Sequence, residues 1–201
     1  MPIQLSDNGV IVENAVVPFA MFGSLVAGHL HHYGRSMELE GYATELRVLD
    51  FPEESLKRFV RRVCTWGGYA GIGGRIIKQN SFFKIQTQFR SAVRILESDL
   101  PNVGAALSEL NHIRGLGTPS FASKHLRFLQ PSLCPILDSI VATRLHYRFR
   151  LEGYEQLAQD CLNIADILQR DDIDNPMNRE SGKWYAADVE MALFAHLNKL
   201  C

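Results

Sequence analysis

The chain has 201 residues and a mass of 22.7 kDa, with 46% hydrophobic and 21% charged residues, the proportions of a globular protein able to bury one compact core. Its formal net charge of −1 excludes no polyanionic partner, because binding one needs only a local basic surface. Cys64, Cys134, Cys161 and Cys201 include no C-x-x-C pair. That excludes a zinc module or a closely spaced iron–sulfur set and fits reduced thiols in the cytosol.

From Ala15 to Leu30 the chain is apolar and uncharged, but Pro18 and Gly23 interrupt it and it is short of the ~20 residues of a membrane span. Asp7 and Glu13 stand where a secretory signal carries Lys or Arg. The segment is expected to be buried core in a cytosolic protein. His29, His31 and His32 lack a carboxylate or cysteine at metal-ligand spacing and are expected in a loop or surface cluster.

Strand signals are weak and confined to the first 50 residues, with Leu46 to Leu49 the best of them. After Pro52, the residues Leu56, Phe59, Val60 and Val63 fall at i, i+3, i+4 and i+7 and predict a helix with one apolar stripe. Arg58, Arg61 and Arg62 take its other side, as a solvated face or as a stripe facing DNA. The glycines from Gly67 to Gly74, with Trp66 and Tyr69, predict a tight corner between helices. No Gly-Lys-Ser/Thr follows, so they form no phosphate loop.

Ile85, Phe89, Ala92, Val93 and Leu96 mark a second helix, with Ser81 at its N-cap. Beyond Pro101, Val103, Ala106, Leu107, Leu110 and Ile113 mark a third. Gly115-Leu116-Gly117 then reverses the chain, with glycine suited to positive φ. Thr118 is expected to cap a fourth helix with Pro119 in its first turn, running to about Leu129. The reversal leaves amides of Gly117 and the next helix's first turn facing outward, a phosphate site of the kind helix N-termini make. Pro131 and Pro135 break the chain before Asp138, and a helix starts at Ser139. Two more are expected over Tyr154 to Leu168 and Tyr185 to Leu200, separated by the acidic loop Asp171 to Pro176. The chain is mainly α.

Ile113-Arg114-Gly115-Leu116-Gly117, Ala122, Ser123-Lys124-His125-Leu126-Arg127-Phe128 and Pro135-Ile136-Leu137-Asp138-Ser139 together resemble the helix-hairpin-helix DNA glycosylase superfamily, and within it the bacterial 8-oxoguanine-glycosylase-fold proteins. The likeness is strong over about forty residues. It implies one compact all-helical domain over residues 1–201, with the hairpin at about 103–130 and a catalytic loop at 131–138. It also implies double-stranded DNA carrying a damaged or modified base as partner, and flipping and excision of that base. The base is an oxidised purine such as 8-oxoguanine or, as in phage-defence relatives, glucosylated hydroxymethylcytosine. No metal or cluster cofactor is implied, with an ion bound at the hairpin left open.

Asp138 matches the family aspartate that faces the sugar, although an Asp before Ser-Ile-Val is also an ordinary N-cap. The family lysine position holds Pro119 and Ser120 instead. Lys124, one turn after Ser120 on the same helical face, is the candidate nucleophile; a phosphate contact or a solvated lysine is the other reading. Without it, Asp138 and water would release the base and leave the strand uncut. Gly115, Gly117, Thr118, Ser120, His125 and Arg127 are the candidate DNA contacts, although His125, like His112 on the other flank of the hairpin, is open to a packing role instead. Trp184 and Tyr185 are candidate walls of the base pocket or core residues. The alternative for the whole chain is a DNA-binding module without catalysis.

Overall fold

The computed structural model describes residues 2–200, apart from the side chain of Ser181, so Cys201 lies outside the described residues. The chain is not all-helical. It opens with an antiparallel meander of β1 (Gln4–Ser6), β2 (Gly9–Val12) and β3 (Ala15–Pro18), paired in that order. Glu13 and Asn14 both take positive φ, giving the two-residue turn that matches strand twist. Val10, Val12 and Val17 point into the core.

Ala15 to Leu30 is therefore not continuous core. It contributes β3 and then α1 (Phe22–His32), which buries Phe22, Leu25, Val26 and His29 on one face. Val16 and Met21 remain exposed. The strand expected at Leu46 to Leu49 is instead the end of α2 (Ser36–Val48). Leu39, Glu40, Ala43 and Leu46 are buried at helical spacing, while Val48 and Leu49 face outward.

The helix after Pro52 is α3 (Glu53–Trp66), with Leu56, Phe59, Val60 and Val63 buried as its stripe requires. The glycine corner is narrower than its composition suggests. Only Gly67 to Tyr69 turn, and Ala70–Gln79 form α4. Three glycines sit inside α4, each unfavourable by about 1 kcal/mol relative to alanine. Gly73 is needed there, because a Cβ would lie 2.9 Å from the Cα of Arg61 where α4 packs on α3.

Next come α5 (Phe82–Leu96), capped by Ser81, and α6 (Val103–Asn111), capped by Asn102. Helix α7 (Ser120–Leu129) is buried from Phe121 to Leu129 and packs against α2, α3 and α6. Short α8 (Ser139–Arg144), long α9 (Leu151–Arg170) and α10 (Ala186–Asn198) complete the order, with α10 lying along α1 and α9. The protein is predominantly helical around one continuous core. Among the described residues no helix is long and apolar enough to cross a membrane.

Candidate active site

The reversal between α6 and α7 has the expected backbone: Gly115 and Gly117 adopt φ of 84° and 73°, a region where side chains are strained. Asn80 fastens the turn to α4. Its Nδ2 donates to the Arg114 carbonyl and its Oδ1 accepts the Arg114 amide, both at 2.9 Å. Thr118 does not cap α7. Pro119 occupies the N-cap position, and the Gly117 carbonyl accepts the Phe121 and Ala122 amides. Those first-turn amides are thus engaged, whereas no acceptor among the described residues takes the amides of Gly117 and Thr118. Gly115, Gly117 and Thr118 are exposed and Ser120 is half-buried.

Helix α7 carries Lys124 inward to 7% exposure. Its Nζ donates to Ser120 Oγ at 3.1 Å, one turn back, and lies 3.6 Å from Asp138 Oδ2 and 5.4 Å from the centre of the Phe121 ring. Gly67 makes room for the stem, since a Cβ there would sit 3.0 Å from Lys124 Cδ. Burial lowers the Lys124 pKa, with Asp138 and then Glu190 pulling the other way. A lowered pKa favours the free amine, the form that can act as a nucleophile.

Asp138 divides its oxygens. Oδ1 accepts the Ile140 and Val141 amides at 3.0 Å and caps α8, leaving Oδ2 toward Lys124. The preceding loop is held on both sides. Ser123 Oγ accepts the Leu137 amide at 3.1 Å, and the Pro131 and Ser132 carbonyls accept amides from Ala187 and Ala186. Amine and carboxylate therefore have little freedom to separate.

Both groups line a cavity of about 260 Å³, just below the ~300–1,000 Å³ of typical small-molecule sites. Tyr33, Trp66, Tyr69, Phe121 and Phe194 supply aromatic walls, and His29, Ser120 and Glu190 add polar groups. His29 is 3% exposed, its Nδ1 has no partner, and burial foremost takes its pKa down to about 3, so the ring is neutral. Burial, reinforced by the charge of Asp138, pushes Glu190 up to about 8 against Arg127, Lys124 and the Ile136 backbone. Burial likewise pushes the Cys64 thiol near Lys124 up to about 12, so it is no rival nucleophile at neutral pH.

No family model, curated protein or solved structure matches this chain.

Four residues expected at the DNA or the base lie elsewhere. His125 is fully buried on the core side of α7, between the rings of Phe59 and Phe89, with Nδ1 2.6 Å from the Phe121 carbonyl. Arg127 is also fully buried. Its Nη1 pairs with Glu40 Oε1 at 2.7 Å and its Nη2 reaches Met191 Sδ at 3.1 Å, tying α7 to α2 and α10. Neither can reach a phosphate. Trp184 is a core residue whose indole N–H donates to the Ile173 carbonyl at 2.7 Å, and Tyr185 lies under the Arg179 guanidinium. Neither lines the cavity.

His29 is not in a surface cluster but at the cavity, while exposed His31 and His32 fit that description. Trp66 and Tyr69 do form the corner after α3, and they also wall the site. Trp66 is shared with a neighbouring hollow lined by Arg35, Arg61 and Arg62; Arg62 pairs with Glu38. Among the described residues no cluster of three His, Cys, Asp or Glu is arranged to hold a metal ion.

Proposed function

We propose that this protein is a DNA glycosylase of helix-hairpin-helix type that excises a modified base through an imine on Lys124. The observation that carries the reading is the 3.6 Å approach of a buried lysine amine to a carboxylate that caps a helix with its other oxygen, inside an aromatic hollow beside a glycine reversal. A plain surface ion pair would have neither the hollow nor the burial.

In this reading the exposed Gly117 and Thr118 amides, with Gly115 shaping the turn, hold a backbone phosphate of double-stranded DNA. The flipped nucleotide enters the hollow, where its base stacks on aromatic rings. As the C1′–N bond breaks, cationic character grows on the sugar and Asp138 Oδ2 stabilises it. The Lys124 lone pair bonds to C1′, and the imine that follows permits β-elimination of the strand. In this reading the cavity of about 260 Å³ receives one base. A sugar attached to that base would have to project through the mouth, so both an oxidised purine and a glucosylated pyrimidine belong in the test.

Purified protein is incubated with duplexes carrying 8-oxoguanine, glucosylated 5-hydroxymethylcytosine or a preformed abasic site, and released bases are identified by mass spectrometry. Release of one of these bases, together with borohydride trapping, is expected. Asp138→Asn should slow release by about 100-fold or more, and Lys124→Ala should abolish trapping. DNA binding with neither release nor trapping would make the chain a binding module and refute the enzymatic reading.

A further inference from the structure

The glycosylase reading explains Lys124, Asp138 and Ser120 but not why a carboxyl group lies 3% exposed on α10 at the same cavity. Glu190 is flanked by Val189, Met191, Ala192 and Leu193, all buried. A carboxylate taken out of water is costly unless it is paired or gives up its charge. The groups that face Glu190 are Lys124 and Arg127 from α7, Asp138 ahead of α8 and Cys161 from α9, with His29 of α1 at the same cavity. Arg127 is committed to Glu40 and Lys124 to Asp138 and Ser120. Glu190 thus faces the cavity with no counter-ion of its own.

Resting on the glycosylase reading, we infer that Glu190 is the acid that protonates the departing base. A base leaving C1′ takes the bond's electron pair and, without a proton, leaves as an anion in a low-dielectric hollow. An uncharged carboxyl group at that hollow avoids this cost. The C1′–N bond breaks with its electron pair going to the base, and the Glu190 proton passes to a ring nitrogen or carbonyl oxygen of that base. Lys124 Nζ forms the new bond to C1′ and sheds its proton to water at the cavity mouth, and water separately returns a proton to the Glu190 carboxylate. Asp138 takes no part in this proton transfer, so the division of labour is one carboxyl group at the sugar and another at the base. The raised pKa of Glu190, about 8 through burial and then Asp138, keeps this acid charged with its proton at neutral pH.

Wild type and Glu190→Gln are compared on three duplexes, bearing 8-oxoguanine, glucosylated 5-hydroxymethylcytosine or a preformed abasic site. Glutamine matches the neutral acid in shape, and binding to a duplex containing a tetrahydrofuran site checks that the cavity is intact. Base release by the variant should fall by about 100-fold or more at pH 7. The wild-type rate should decline above about pH 8, and the variant should lack that decline. Trapping on the abasic site, where no base leaves, should stay near the wild-type level. Unchanged base release in the variant, or equal loss of release and trapping, would overturn the assignment. Wild-type protein that traps the abasic site yet releases no base also overturns it, because a base acid then has no reaction to serve. Absence of both activities from wild type is the separate failure of the glycosylase reading, and this inference falls with it.

Discussion

The 3.6 Å separation between Lys124 and Asp138 depends on the path of the lysine stem, and Gly67 leaves room for that path. Gly67 has φ of −73°, which alanine adopts freely, so Gly67→Ala tests space and not backbone strain. The added methyl would meet Lys124 Cδ at 3.0 Å, Cε at 3.2 Å and Phe121 Cε1 at 3.3 Å. The flexible lysine is the group that gives, and small misplacements of a reacting group are costly. Borohydride trapping should fall by about tenfold with little change in thermal stability; trapping at the wild-type rate would contradict this geometry. Lys124 and Asp138 were singled out through the family resemblance of the hairpin segment, and the structure brings the two side chains together at one cavity. His29, Glu190 and the aromatic walls were not legible in the sequence, since they come from α1, α3 and α10 and meet only through tertiary packing. Glu190 did leave a trace: an acid between Val189 and Met191, where a buried stripe should have none. Arg127 and His125 misled because a basic residue beside a hairpin suggests phosphate, whereas the burial of α7 on all sides turns both into core contacts.

Helices with an apolar stripe and a cap could be placed from sequence. Helix α5 starts after Ser81 and α8 after Asp138, where a side-chain oxygen accepts the first amides. Helices α1, α2 and α4 could not. Helix α1 shares an apolar run with β3, α2 buries the charged Glu40 in a buried ion-pair network with Arg127 and Arg179, and α4 is rich in glycine. The β1–β3 meander was equally hidden, its turn formed by Glu13-Asn14 instead of a glycine signal. At this scale the hairpin depends on α4 through Asn80. Asn80→Ala removes both bonds to Arg114 and should destabilise the fold by about 1–2 kcal/mol. It should also weaken binding to duplex DNA while leaving trapping at saturating DNA unchanged. Wild-type affinity in the variant would show that the hairpin needs no such anchor or does not hold DNA.

Across the whole molecule, three buried titratable groups give stability a defined pH response. His29 and His125, held down to about 3 and about 4 chiefly by burial, stay neutral when folded but take up protons below 6.5 when unfolded. The unfolded state then binds more protons, so their contribution is present above pH 6.5 and is lost as pH falls, at about 1.4 kcal/mol per pH unit for each. Glu190 acts in the opposite sense. Its folded form keeps a proton up to about pH 8 that the unfolded chain loses near 4.5, so its contribution is complete below 4.5 and declines as pH rises to about 8. Urea midpoints should therefore drop on acidification below pH 6.5, and Glu190→Gln should gain stability over wild type steadily between pH 5 and 8. A gap between variant and wild type that does not vary with pH would contradict a protonated Glu190.

The most direct measurement of the central claim is peptide mapping after borohydride reduction with abasic duplex DNA. The sugar adduct is expected on the peptide containing Lys124, and it should disappear in Lys124→Ala and persist in Lys183→Ala, whose exposed lysine lies outside the cavity. An adduct on another lysine, or none at all while DNA remains bound, would contradict an amine and a carboxylate working together in this hollow.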